Sequence, residues 1–350
     1  MDPLLLTLQL LLGALGILGV AAAAPTEMLA QAGRFAFCVV VTIAVSRATP
    51  LQIVRAAPFA YVVTMGLLVA VLFVGVSPTG SEATRWLPFG PVTLQPSELM
   101  KVVVIAYLAA FFHNHLGNWH IWRPMLVIGL AAGFVVMQPN VSTALFLFAL
   151  AFAIMLAAGT SIARLVSISL SAAIVAIVVG GPYLAQYSYI SDRISGFADL
   201  WGDQVDVQTT SYQATRARAA LARAGVVGIG PGRPVNVPEA ETDMIAVAIG
   251  QSLGLIGMIT LVGSFVLLVA RGLRIAGAAR GPGALLAAGA CAYIGGQAAL
   301  NLLVAAGLLP VTGVPLPFVS YGFNSLLSVA VATGFIHAAF REVRAQGAAL

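Results

Sequence analysis

Residues 231–254 read PGRPVNVPEAETDMIAVAIGQSLG. The passage closes the longest polar segment of the chain and runs directly into a long apolar helix. At the junction stand Glu239, Glu241 and Asp243, three of only 12 acidic residues in 350 positions. A carboxylate at the lip of a membrane helix is expensive to hold there unless it is paired or used. The stretch therefore points to a helical, membrane-spanning fold and nominates Asp243 for a reaction centre on the outer membrane face.

Composition supports the same fold class. The chain is 60% apolar and 8% charged, with a mean hydropathy of +0.99. Soluble domains carry about 25% charged residues, so too little polar surface exists here to face water. The expected fold is an all-α polytopic membrane protein forming one integral-membrane domain over residues 1–350. Lys and Arg together number 17 and the pI is about 9.6. Because the arginines fall in short loops between apolar runs, they report membrane topology and not nucleic-acid binding. Cys38 and Cys291 lie in apolar runs at no metal or redox spacing and read as buried thiols. Leu4 to Ala23 lacks a basic leader and a cleavage site, so it reads as a retained first helix.

Runs of roughly 20 apolar residues span a bilayer core about 30 Å thick. About ten occur, near 4–23, 29–46, 57–77, 97–113, 122–138, 141–159, 162–186, 242–270, 283–308 and 318–339. Two longer outer segments remain, about 78–97 and 187–241, the second a long extracytoplasmic loop. Arg47, Arg55, Arg123, Arg164, Arg271, Arg274, Arg280, Arg341 and Arg344 all fall on one side of this layout. That asymmetry places both termini in the cytoplasm.

Five clusters of residues carry chemical potential. Arg85-Trp86 precedes Gln95-Pro96-Ser97-Glu98 and Lys101, the only lysine. Pro96 suits a first helical turn, with Ser97 and Glu98 favoured at its positive end. Glu98 and Lys101, three apart, share a face, either as a structural ion pair or as part of a charged site under the outer surface. Gln138 to Thr143 reads as a tight turn with a capping Asn or Ser. In the long loop, Arg193, Tyr212, Gln213 and the strip Arg216, Arg218 and Arg223 read either as a cationic helix on lipid headgroups or as a pyrophosphate clamp. Glycines 225, 228, 230 and 232 lack the strand and acidic partner of a nucleotide fingerprint and instead allow tight turns beside the site. Within Pro238 to Asp243, Thr242 or Asp243 offers an N-cap for the next helix, or Asp243 a catalytic base. Finally, Gln297 and Asn301 precede a Pro- and Gly-rich stretch that runs to Ser320-Tyr321-Gly322. Unwound backbone at that depth is tolerated only beside protein or a wet cavity.

In order and spacing these blocks resemble the SEDS family, the class of the FtsW and RodA proteins. The matching stretches are RWLPFGPVTLQPSELMK at 85–101, QPNVSTA at 138–144, SYQ at 211–213, VPEAETDMI at 237–245 and GLLPVTGVPLPFVSYGFNS at 307–325. The resemblance implies a peptidoglycan glycosyltransferase of the bacterial cytoplasmic membrane. Such proteins polymerise lipid II on the outer leaflet, usually with a class B penicillin-binding protein. It places the catalytic Asp at Asp243 and substrate contacts at Arg85, Trp86, Gln95, Ser97, Glu98 and Lys101. Arg193, Tyr212, Gln213, Arg216, Arg218, Glu239, Gln297 and Ser320 complete the expected substrate-binding set. Membrane lipids are the remaining expected partner; no nucleic acid and no fixed protein-held metal are expected. A divalent cation, Mg²⁺ or Mn²⁺, enters as a candidate cofactor through the resemblance alone. Several positions depart from the family pattern. Asn140 replaces an acid, Gln251-Ser252 replace two glutamates, and Phe323-Asn324 follow Ser320-Tyr321-Gly322. The lost negative charge weakens the case for that cation. A lipid carrier or a scaffold for a partner synthase would use the same cationic groove.

Overall fold

A computed structural model describes residues 1–77, 84–90, 92–114, 121–175, 181 and 210–347. Each predicted span coincides with a helix, and local signals fix several starts. α1 (Pro3–Ala23) begins at Pro3 behind Asp2, whose side chain accepts the Leu5 N–H. α2 (Met28–Arg47) follows a short 3-10 turn. α3 (Pro50–Val74) opens on a complete capping box, Thr49 with Gln52, and starts seven residues before the expected position 57. Its internal Pro58 stays within the helix. α4 (Pro96–Asn114), α5 (Trp122–Met137) and α6 (Val141–Ala157) follow, and α7 is described over Ile162–Val175. The remainder of the seventh span and most of the long loop, Arg193 included, lie outside the described residues.

The end of that loop forms a further helix, α8 (Thr210–Ala224), as the arginine spacing suggested. Then come α9 (Ile245–Ala278), α10 (Pro282–Ala305) and α11 (Phe323–Ala345). By length and composition, seven helices among the described residues can cross a membrane: α1–α4 and α9–α11. The all-α expectation needs one small amendment. Strands β1 (Leu87–Phe89) and β2 (Val92–Leu94) pair antiparallel in the segment before α4.

The packing separates central from peripheral helices. In α4 and α11, 78% of the apolar window is buried, against 22% in α2 and α3. Phe37, Val40, Phe59, Val62 and Phe73 on those outer helices are exposed, as expected of surfaces facing lipid acyl chains. Glycines let α1 approach closely. A methyl on Gly16 would sit 2.6 Å from the Val319 carbonyl oxygen, and one on Gly13 would strike the Phe35 ring. Small residues at such contacts are how membrane helices gain dispersion energy where no hydrophobic drive exists.

Both termini lie at one end of the bundle. The Asp2 N–H donates to His337 Nδ1 in α11, and Arg271 of α9 bonds the Asp2 carboxylate at 2.7 Å. At the opposite end, the tail of α1 packs against Val319 and Ile245 through Gly16 and Gly19. The irregular segment 306–322 crosses that end with Val314, Leu316, Phe318, Val319 and Ser320 buried.

One feature departs from the expected eighth span, 242–270. α9 is broken at Gly254, which has φ 63° and ψ −154°. The segment 225–230 enters the break. Ile229 N–H donates to Gln251 O (3.0 Å) and Gly230 N–H to Ser252 O (3.2 Å). Leu255 and Ile256 N–H donate back to Gly225 O and Val226 O at 3.1 and 3.2 Å. Freed helix groups thus find backbone partners, the condition for breaking a helix inside a bundle.

Candidate active site

A cavity of about 600 Å³ opens at the end of the bundle away from the termini. Four chain segments far apart in sequence build it: the hairpin and start of α4, the turn into α6, the 239–243 turn, and 312–325 facing that turn. Asp243 lines it and is half-buried. The N-cap of α9 is Met244, with no side-chain capping bond, so neither Thr242 nor Asp243 is the cap residue that the sequence allowed. Thr242 Oγ1 donates to Glu239 Oε2 at 2.7 Å, and Glu239 itself stands at φ 55°, in the left-handed region. Side-chain and backbone geometry here thus serve the turn and not the helix end.

The backbone around Asp243 is stapled by Asn301 and Ser320, which lie outside the cavity lining, and by Tyr321 in the wall. Asn301 Nδ2 donates to Asp243 O and Val314 O, each at 2.8 Å. Ser320 Oγ donates to Thr242 O (2.6 Å) and accepts from Leu316 N–H (2.7 Å). Tyr321 N–H donates to Glu241 O at 2.8 Å. Ser320 and Tyr321 tie the 306–322 segment to the acidic turn directly, and Asn301 of α10 bridges the two. Gln297 Nε2 binds Pro315 O (2.8 Å) and Ser325 Oγ (3.3 Å), while its Oε1 accepts from Lys101. Gln297 and Ser320, expected to touch substrate, are thus placed as supports. Ser97 is fully buried and likewise outside the lining.

The cationic residues come from the other segments. Lys101 Nζ lies 2.7 Å from Glu98 Oε1 and 3.1 Å from Gln297 Oε1; Lys101 and Glu98 are 1% and 4% exposed. Ion pair and cavity wall, which the sequence left as alternatives, coexist. Burial makes the pair costly unless each atom finds a partner. Glu98 Oε2 has none among the described residues. Arg85 lines the cavity and its Nε donates to Gln138 O at 3.1 Å; its Nη2 donates to Pro139 O. Trp86 and Gln95 also line it, and Glu239 shares its rim. Asn324 was not foreseen. It accepts from Gln95 N–H (3.0 Å) and donates to Thr93 O (2.9 Å), holding the hairpin against α11. Tyr321 was also missed. It lines the cavity, donates to Glu27 Oε2 at 2.6 Å and lies under the Arg34 guanidinium at 4.2 Å. Neither contact leaves a local sequence signature, because the partners are hundreds of residues apart.

The residues of α8 are arranged differently. Arg216 and Arg218 are exposed, and neither they nor Tyr212 nor Gln213 lines the cavity. Arg216 stacks over Tyr212 at 5.0 Å, and Arg218 Nη2 reaches Gly307 O at 3.3 Å. Ala214, Ala217 and Ala224 are buried beneath them. This is an amphipathic surface helix with its cations outward.

Among the described residues, no three His, Cys, Asp or Glu side chains gather as a metal cage. Divalent cations of the Mg²⁺ class need oxygen ligands. One Glu98 oxygen is spent on Lys101, and the Asn140 oxygen accepts the Thr143 N–H at 3.3 Å. The donor set does not fit a cation held by the protein.

The fold and cavity can be set beside known proteins. The FtsW/RodA/SpoVE family, described as cell cycle proteins, matches residues 5–345. A protein of Allochromatium vinosum named probable peptidoglycan glycosyltransferase FtsW is 32% identical over 276 residues, 75% of this chain and 67% of its own. One of Alkalilimnicola ehrlichii with the same name is 33% identical over 300 residues, 81% and 73% of the two chains. Among solved structures, a chain of a peptidoglycan synthase complex aligns at TM-score 0.81 with 25% identity, covering 97% of this chain and 98% of that one. The rod shape determining protein RodA of Thermus thermophilus aligns at 0.72 with 23% identity over 97% of each chain, a likeness of fold. With nearly its whole length matched, this chain belongs to the FtsW/RodA/SpoVE family of cell cycle proteins.

Proposed function

We propose that the chain is a peptidoglycan glycosyltransferase that polymerises lipid II on the outer face of the bacterial cytoplasmic membrane. The observation that carries this reading is one polar cavity holding Asp243 together with Arg85 and Lys101. A lipid-linked sugar pyrophosphate is already activated, since pyrophosphate leaves readily. The protein has only to deprotonate the attacking hydroxyl and neutralise the departing anion. Asp243 takes the proton of the acceptor GlcNAc 4-hydroxyl. The hydroxyl oxygen attacks the donor anomeric carbon and forms the glycosidic bond with inversion. The bond from that carbon to pyrophosphate breaks, and undecaprenyl pyrophosphate leaves with the electron pair. Arg85 and Lys101 supply the positive charge; no covalent enzyme intermediate is needed.

The outer-face assignment rests on charge. Arg47, Arg55, Arg271, Arg274, Arg341 and Arg344 lie on helix segments at the end that holds both termini, and this excess of positive charge supports reading that end as cytoplasmic and the cavity as external. A class B penicillin-binding protein is the proposed partner, supported by the likeness to a chain from a peptidoglycan synthase complex.

The test is polymerisation of lipid II by purified protein. A positioned base contributes about 10²–10⁴-fold, so Asp243→Asn should fold normally and lose activity by that factor. Near-normal glycan strands from the variant would remove Asp243 from the chemistry. A carrier would instead move fluorescent lipid II between leaflets without lengthening glycan, and a scaffold would do neither.

A further inference from the structure

Two helices open on the cavity with first-turn N–H groups: α6, through Asn140 to Thr143, and α11, through Gly322, Asn324 and Ser325. Such ends carry about half a positive charge each and favour anions. A second observation, independent of the helix ends, concerns Asn140. Its side chain is buried, the residue being only 8% exposed, and lines the cavity. Its Oδ1 accepts the Thr143 backbone N–H, which can only donate, so the amide orientation is fixed. The Nδ2 group has no acceptor among the described residues. Lys101 shows the same surplus. Two of its three N–H groups go to Glu98 and Gln297, and the third has no acceptor among the described residues.

We infer that the cavity holds the diphosphate of its lipid-linked donor directly on protein groups, with no bridging divalent cation. The groups are Asn140 Nδ2, the third Lys101 N–H and the first turns of α6 and α11. The inference rests on the glycosyltransferase reading and specifies its anionic subsite. The chemistry of Asn140 separates the two ways of neutralising a diphosphate. A divalent cation needs oxygen, yet the Asn140 oxygen is spent on capping and a nitrogen with two hydrogens is left for the cavity. That group repels a cation and attracts a phosphate oxygen. Glu98 keeps one unpartnered oxygen, Oε2, but Lys101 at 2.7 Å from Oε1 offsets its charge, and a single such oxygen makes no cation cage.

The experiment measures binding of undecaprenyl pyrophosphate to full-length purified protein in nanodiscs, by quenching of tryptophan fluorescence, Trp86 being in the cavity wall. The wild-type chain should bind equally well in EDTA and in Mg²⁺. Loss of binding in EDTA overturns the inference without use of any variant. Asn140→Asp keeps an oxygen for the Thr143 cap, and replaces the donor with a charge. In EDTA it should weaken binding by about tenfold or more, with partial recovery in Mg²⁺. Unchanged affinity in that variant overturns the assignment to Asn140. Undecaprenyl monophosphate and phosphatidylglycerol serve as competitors. Competition by either at the same strength as the diphosphate means that the site reads lipid phosphate in general, and the inference fails. Polymerisation is scored separately. A chain that binds the diphosphate in EDTA yet never lengthens glycan sinks the enzymatic reading, whereas one that polymerises only with Mg²⁺-dependent binding sinks the subsite.

Discussion

Asp243 shows how little a single residue type reveals and how much its neighbours add. At the start of an apolar helix an Asp reads equally well as a cap, and only the structure shows that the cap position is Met244. Its placement depends on Asn301, whose amide clamps the carbonyls of Asp243 and Val314 from below. Losing one buried hydrogen-bond partner costs about 1–3 kcal/mol, and misplacing a reacting group by about 1 Å costs up to about 10²-fold in rate. Asn301→Ala is therefore expected to lower kcat for lipid II polymerisation by about 10–100-fold with little change in KM. A rise in KM with kcat intact would mean that Asn301 serves binding instead. Spacing alone put Glu98 and Lys101 on one face, because three residues is nearly one helical turn. The resemblance also put Gln297 and Ser320 among the expected substrate contacts. Both lie outside the cavity lining and bond to backbone carbonyls, which a polar side chain inside a span satisfies as readily as a ligand.

At the scale of elements, the apolar helices were legible because hydropathy and rise per residue are local properties, and seven of those described are long and apolar enough to cross a membrane. The break in α9 was not. Gly254 stands as one more small residue in an apolar run, and the glycines at 225–230 read only as tight turns beside the site. Together they form one device: the loop backbone replaces the missing helical bonds. A methyl at Gly254 would lie 2.4 Å from Gly228 N and 2.5 Å from Val226 O, and its φ is positive. Gly254→Ala should therefore cost at least about 1–2 kcal/mol from the backbone conformation alone. Thermal unfolding in detergent would show it as a lowered midpoint. Gly263→Ala, with nothing within 4 Å and a helical backbone, is the control expected to leave the midpoint in place or raise it slightly.

The whole molecule is tied together at the end opposite the cavity. Asp2 joins three helices: it caps α1, takes Arg271 of α9 and donates its N–H to His337 of α11. Burial pushes the Asp2 carboxyl up, but the Arg271 hydrogen bond, the Leu5 N–H and the Arg271 charge reverse this and leave it below its usual 3.8. A carboxyl depressed in the fold adds stability above its unfolded value, and that stability is lost as pH falls through the folded one. Asp2→Asn should thus lower stability near neutral pH by about 1.5–3 kcal/mol, the worth of a charged hydrogen bond. The difference from wild type should shrink below about pH 4. An equal gap at pH 7 and pH 3 in chemical unfolding would show that the carboxylate charge is not what holds the clamp. By itself, the sequence determined the class of fold, the apolar helices, the basic end and the order of the polar motifs, because each follows from local hydropathy, charge and turn chemistry. Which of those polar residues face a common cavity, which merely hold its walls, and where α9 breaks were decided by tertiary packing. Those outcomes depend on contacts between residues as far apart as Gln95 and Asn324, and no local property encodes such a meeting.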